Sequence, residues 1–204
     1  MIFSQTAGLA LIVILAASLI VLVSERWYWS LGALALQYVG VFWLVANNWL
    51  LGLSLAKLVV GWMAVAVIAA SRSEDELREE RFPGRAGQLF RGLAAILVWA
   101  LVFSISPQAR EWFPVQTPVL QGGMLLAGIG LLHLGMTARP QRVVMGLLTV
   151  IAGFEVLYSG LERSVLVAGL LGVVNLGLAL AGSYGMLSGQ FVETPPDEEQ
   201  EPAA

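Results

Sequence analysis

"RVVMGLLTVIAGFEVLYSG", residues Arg142–Gly160, decides the class of this chain. Beyond its first residue it is apolar, small or weakly polar at every position but one, and it approaches the ~20 residues that a membrane-crossing helix needs at a rise of 1.5 Å per residue. The exception is Glu155. An acid inside a run otherwise suited to lipid predicts a transmembrane helix whose carboxylate faces protein or water rather than acyl chains.

The rest of the sequence extends that reading. Of 204 residues, 58% are hydrophobic and 12% charged, and the mean hydropathy is +0.80, outside the range of ordinary soluble domains. Seven candidate helices follow from the apolar runs: residues 6–23, 28–46, 49–70, 89–105, 118–137, 141–160 and 164–187. The expected fold is an all-α integral membrane bundle over 1–187, followed by an acidic, disordered cytoplasmic tail over 188–204. "SERW", "ANNW", "SPQAREWFPVQTP" and "TARPQR" punctuate the helices. The tight connections make helices two and three, five and six, and six and seven antiparallel neighbours. The charged stretch "SRSEDELREERFPGRAGQ", Ser71–Gln88, reads as a solvated loop, with a short surface helix before Pro83–Gly84 as the alternative.

Arginines set the expected orientation, because positive loops stay on the cytoplasmic side. Arg26, Arg72, Arg78, Arg81, Arg85, Arg91, Arg139 and Arg142 follow helices one, three and five, whereas Arg110 and Arg163 fall on the other side. The N-terminus is therefore expected outside and the tail in the cytoplasm. The first apolar segment lacks a basic leader and a small-residue cleavage site, so it reads as a retained helix. Nothing in the charge pattern suggests nucleic acid, and the partner that composition implies is the lipid bilayer. With no cysteine, disulfides, thiolate zinc sites and iron–sulfur ligation are excluded, and the chain is expected to carry no cofactor or metal of its own.

Polar residues inside the spans are the candidates for function. They are Gln37 in helix two, Lys57 in helix three, Glu155 in helix six and Asn175 in helix seven, with His133 near the cytoplasmic end of helix five. A charge at mid-span costs ~2.5–3.5 kcal/mol on insertion scales. Small residues accompany them at helical spacing: Ser30, Ala33 and Gly40 with Gln37; Ser54, Gly61 and Ala64 with Lys57; Ala168, Gly172, Ala179 and Gly182 with Asn175. Such faces allow close helix packing in lipid. Gln37 and Asn175 are first read as interhelical hydrogen-bond glue and His133 as an interfacial histidine. Lys57 and Glu155 carry charge that a partner, water or proton exchange must compensate, so they are the proton-transfer candidates, with structural pairing as the alternative. A shift of 118 residues superposes helices one to three on five to seven and brings Gln37 onto Glu155 and Lys57 onto Asn175, which suggests two three-helix units joined by helix four.

"RVVMGLLTVIAGFEVLYSG" followed by "GLLGVVNLGLALAGSYGML" resembles the second and third helices of the K subunit of NADH-quinone oxidoreductase and of the C subunit of multisubunit cation/proton antiporters. The "GLE"-type motif of those subunits reads "GFE" here, Gly153–Glu155. "ALQYVGVFWLV" and "LAKLVVGWMAVAVIAASR" are similar to the membrane E component of group 4 hydrogenases, where a glutamine and a lysine stand as Gln37 and Lys57 do. The resemblance implies a non-catalytic subunit of a respiratory-type complex in a prokaryotic inner membrane, assembled with larger antiporter-like subunits and involved in proton or cation movement. It further implies that Glu155 takes and releases a proton while Lys57 tunes a neighbouring site. K subunits carry a second acid where this chain has Asn175, and a longer loop between their second and third helices, so the relay expected here is not the full K-type one.

Two other readings remain open: a structural scaffold with Glu155 paired and inert, and a small stand-alone transporter. The latter needs broken helices at matched positions, which no mid-span Gly/Pro interruption supplies. No nucleophile–base set or phosphate loop argues for an enzyme. Trp43, Trp49, Trp99 and Trp112 read as packing and interfacial anchors.

Overall fold

The computed structural model describes residues 6–24, 26–71, 85–137 and 139–190. Among them, all regular structure is helical: α1 Ala7–Val23, α2 Trp27–Val45, α3 Leu51–Ala70, α4 Arg85–Trp112, α5 Thr117–Gly135, α6 Pro140–Leu161 and α7 Val165–Gln190. Six of these are long and apolar enough to cross a membrane, and α1, at 17 residues, is shorter. The expected helices are all present, most with ends within two or three residues of those read from sequence. The Arg- and Glu-rich connection between α3 and α4 and the acidic tail beyond Gln190 lie outside the described residues.

Helix α4 departs most from expectation, because it runs on through "SPQAREW" to Trp112 with Pro107 inside it. A proline has no N–H to give the carbonyl four residues back, which here is that of Phe103. The Ser106 hydroxyl donates to that carbonyl instead, at 3.3 Å. Ser106 is buried and accepts in turn from Gln121 Nε2 of α5 at 3.1 Å. The helix survives its proline because a neighbouring side chain supplies the missing bond.

Neighbouring helices define two layers. In one, α2 packs between α1 and α3; in the other, α6 packs between α5 and α7. Across the layers α1 meets α5, α2 meets α6 and α3 meets α7, while α4 closes the α1/α5 edge. Each helix of the first layer thus lies against the helix 118 residues further along the chain. The expected antiparallel neighbours are all in contact. One end of the bundle is marked by Trp43 Nε1 donating to Thr6 Oγ1 at 3.0 Å and Trp49 Nε1 donating to the Glu162 carbonyl at 2.9 Å. At the opposite end, Arg142 donates to the Ser24 carbonyl at 2.9 Å.

The α5–α6 contact is the closest in the bundle. Gly123 and Gly130 of α5 face Gly153 and Gly146 of α6 in antiparallel register, and a Cβ placed on Gly153 would lie 2.5 Å from Ala127 N and 2.7 Å from the Gly123 carbonyl oxygen. Backbone meets backbone there, as small residues permit where no hydrophobic effect drives helices together. Outward, α4 and α7 present large exposed apolar side chains such as Leu93, Leu97, Leu166 and Leu180, the surface expected to contact lipid. The fold is that of a multi-pass, all-α membrane protein.

Candidate functional site

Four helices, α2, α3, α7 and α6, touch in a closed cycle, and each contributes at least one polar side chain to the interior. Helical spacing places them there. In α3 the buried positions are Ser54, Lys57, Gly61, Ala64 and Ile68, so the lysine lies on the one stripe that faces protein. In α2, Gln37 and Tyr38 are buried with Ser30, Ala33 and Gly40. In α6 the buried face carries Thr149, Ala152, Gly153 and Glu155, and in α7 Asn175 is buried with Ala168 and Ala179.

Glu155 is 1% exposed and Lys57 4%, and the two form an ion pair in which Lys57 Nζ donates to Glu155 Oε1. Asn175 Nδ2 donates to the same oxygen at 3.0 Å. Three helices are thereby tied at one carboxylate. Gln37 is placed differently: its Nε2 donates to Thr149 Oγ1 at 3.3 Å, one and a half helical turns before Glu155. The direction of that bond is set by its neighbour, since Thr149 spends its own proton on the Met145 carbonyl at 2.8 Å and can only accept from Gln37.

The network is incomplete. Glu155 Oε2, Asn175 Oδ1, Gln37 Oε1 and the Tyr38 hydroxyl are buried without a hydrogen-bond partner among the described residues. A buried polar group left unpaired costs about 1–3 kcal/mol, so the ring holds several groups able to take a further hydrogen bond. Tyr38 lies within electrostatic reach of Glu155. Its ring is seated on Gly61, one turn beyond Lys57, where an added Cβ would come within 2.4 Å of the ring. Such an arrangement can hold a carboxylate beside a counter-charge and offer its second oxygen to a proton or another donor.

Of the five polar candidates read from sequence, Lys57, Glu155 and Asn175 are bonded together, and Gln37 joins the same helix, α6, through Thr149. His133 stands apart. It is 2% exposed, more buried than an interfacial histidine, and at the C-terminal end of α5 it lies within electrostatic reach of Arg91 and Arg142. Thr149 and Tyr38 were missed by the sequence reading. Their signal was present in Gly61, a residue with no side chain one turn from a buried lysine, and in a threonine midway along an apolar helix. Among the described residues no group of His, Cys, Asp or Glu could hold a metal ion.

Fold and site define a class: an all-helical membrane bundle with a charged, hydrogen-bonded centre. No family model, no curated protein and no solved structure matches the chain.

Proposed function

We propose that this chain is a non-catalytic membrane subunit of a respiratory-type assembly, NADH dehydrogenase-like or membrane hydrogenase-like, that takes part in proton or cation translocation beside larger antiporter-like subunits. The observation that carries the reading is the buried Lys57–Glu155 pair, in which only one carboxylate oxygen is engaged among the described residues. The resemblance of "GFE" and its flanking helices to K- and C-type subunits supports it, and the arginine distribution accords with an N-terminus outside and a tail in the cytoplasm.

The chemistry asked of the site is modest. With Lys57 in place, Glu155 is a carboxylate with a counter-charge. Withdrawal of the ammonium leaves a bare charge in a low-dielectric interior, which uptake of a proton relieves; return of the ammonium releases that proton. Asn175 holds the carboxyl group in position through both states, and one acid, rather than the two of K subunits, carries the step.

A scaffold role is the second reading, favoured by the way Glu155 Oε1 joins three helices. Glu155→Gln separates the two in the purified complex reconstituted into vesicles. Retained assembly with impaired proton translocation is expected. Loss of assembly would favour the scaffold, and normal translocation would remove the proton role of Glu155.

A further inference from the structure

The α2–α3 and α6–α7 connections meet at one end of the bundle, joined by Trp49 Nε1 on the Glu162 carbonyl. Beside this tie lies a cleft of about 490 Å³, with Asn47, Asn48, Trp49, Leu50, Arg163 and Val165 in its wall. Its volume falls within the range of small-molecule sites.

The one charged side chain in this wall, Arg163, favours an anion. No acid lines the cleft. Arg163 is exposed, and its guanidinium has no ion pair among the described residues. Asn48 is half-buried, and its Nδ2 has no acceptor among the described residues. Two long helices start here: α3 at Leu51, with no side-chain cap, and α7 at Val165. Leu50 and Val165 of the wall stand at the starts of these helices, so both positive dipole ends lie beside it. In α7, Ser164 Oγ already accepts from the Val167 N–H at 3.4 Å. The rim is apolar. Leu50 is 78% exposed and Val165 62%, next to a tryptophan of the kind that sits at headgroup level.

We infer that this cleft binds the phosphate of an anionic phospholipid, with Arg163 and the Asn48 amide on the phosphate oxygens and the acyl chains leaving over Leu50 and Val165. The site is distinct from the Lys57–Glu155 centre and does not depend on it. Free inorganic phosphate shares the headgroup chemistry but cannot use the apolar rim.

Native mass spectrometry of the full chain, delipidated in a neutral detergent and titrated with phosphatidylglycerol, tests this. One lipid retained per chain is expected, held roughly tenfold more weakly by Arg163→Ala, as befits one charge-assisted contact. Arg163→Lys should keep most of the binding, and Arg110→Ala, at the end of α4, all of it. Because Arg163 is a surface residue, circular dichroism should show the variants as helical as the parent. Resistance of the bound lipid to millimolar inorganic phosphate supports the assignment. Displacement by phosphate alone, equal retention of diacylglycerol, or indifference to Arg163→Ala would overturn it.

Discussion

Lys57 Nζ and Asn175 Nδ2 bond to the same oxygen of Glu155. Because both donors crowd onto Oε1, the carboxyl group is held on one side and left open on the other. A purely structural ion pair in a dry interior gains most when every lone pair is occupied. The one-sided arrangement leaves Oε2 able to accept a further donor.

Breaking the pair from one side should be costly. Lys57→Met leaves an uncompensated buried acid and is expected to lower stability by about 3–5 kcal/mol. The double variant Lys57→Met/Glu155→Gln, which removes both charges, should recover most of that loss. Thermal unfolding in detergent, compared over the four members of the cycle, checks the expectation, and simple additivity would argue against the pairing.

Tyr38→Phe removes a hydroxyl that has no hydrogen-bond partner while keeping the ring on Gly61. Stability should rise, by up to about 1–3 kcal/mol, since an unpaired buried hydroxyl is removed and no bond is lost. If the hydroxyl serves Glu155 during turnover, proton translocation in vesicles slows, and the contrast between undiminished melting and reduced transport is the readout.

The span number and most helix ends were legible in the sequence because a bilayer admits few solutions: each crossing must be a long apolar helix, and every polar interruption stands out. Gln37, Lys57, Glu155 and Asn175 were legible for the same reason. Their bonding was not. Nothing in the spacing of Lys57 and Glu155 along the chain says that α3 and α6 bring them together, and Tyr38 beside Gln37 passes for one more aromatic in an apolar run. The α4 terminus was misread because Pro107 and the polar residues after it look like a stop, whereas the bond that keeps the helix intact comes from Ser106, visible only in three dimensions.

That bond makes its own prediction. Ser106→Ala should destabilise the chain by about 1 kcal/mol, the ordinary worth of such a hydrogen bond, with a further contribution from the stranded Gln121 amide. Adding Pro107→Ala, which restores the backbone donor to the Phe103 carbonyl, should recover part of it. Melting temperatures of the single and double variants provide the comparison.

Gly153→Ala places a methyl group where Ala127 N and the Gly123 carbonyl already stand. Overpacking of this kind costs about 1–3 kcal/mol, and separation of α5 from α6 would carry Glu155 with it. A lowered melting temperature, with chemical cross-linking between Glu155→Cys and Lys57→Cys weakened by the added Gly153→Ala, is the expected result.

The glycine contact between α5 and α6 also decides which parts of the molecule are free to move. With backbones touching, α6 can neither turn nor slide without collision, and it behaves as a stator. The span of α3 is 33% buried against 56% for α6, with its outer side facing the membrane. If the proposed proton step operates, the stroke that parts the ammonium from the carboxylate therefore falls to the lysine's helix.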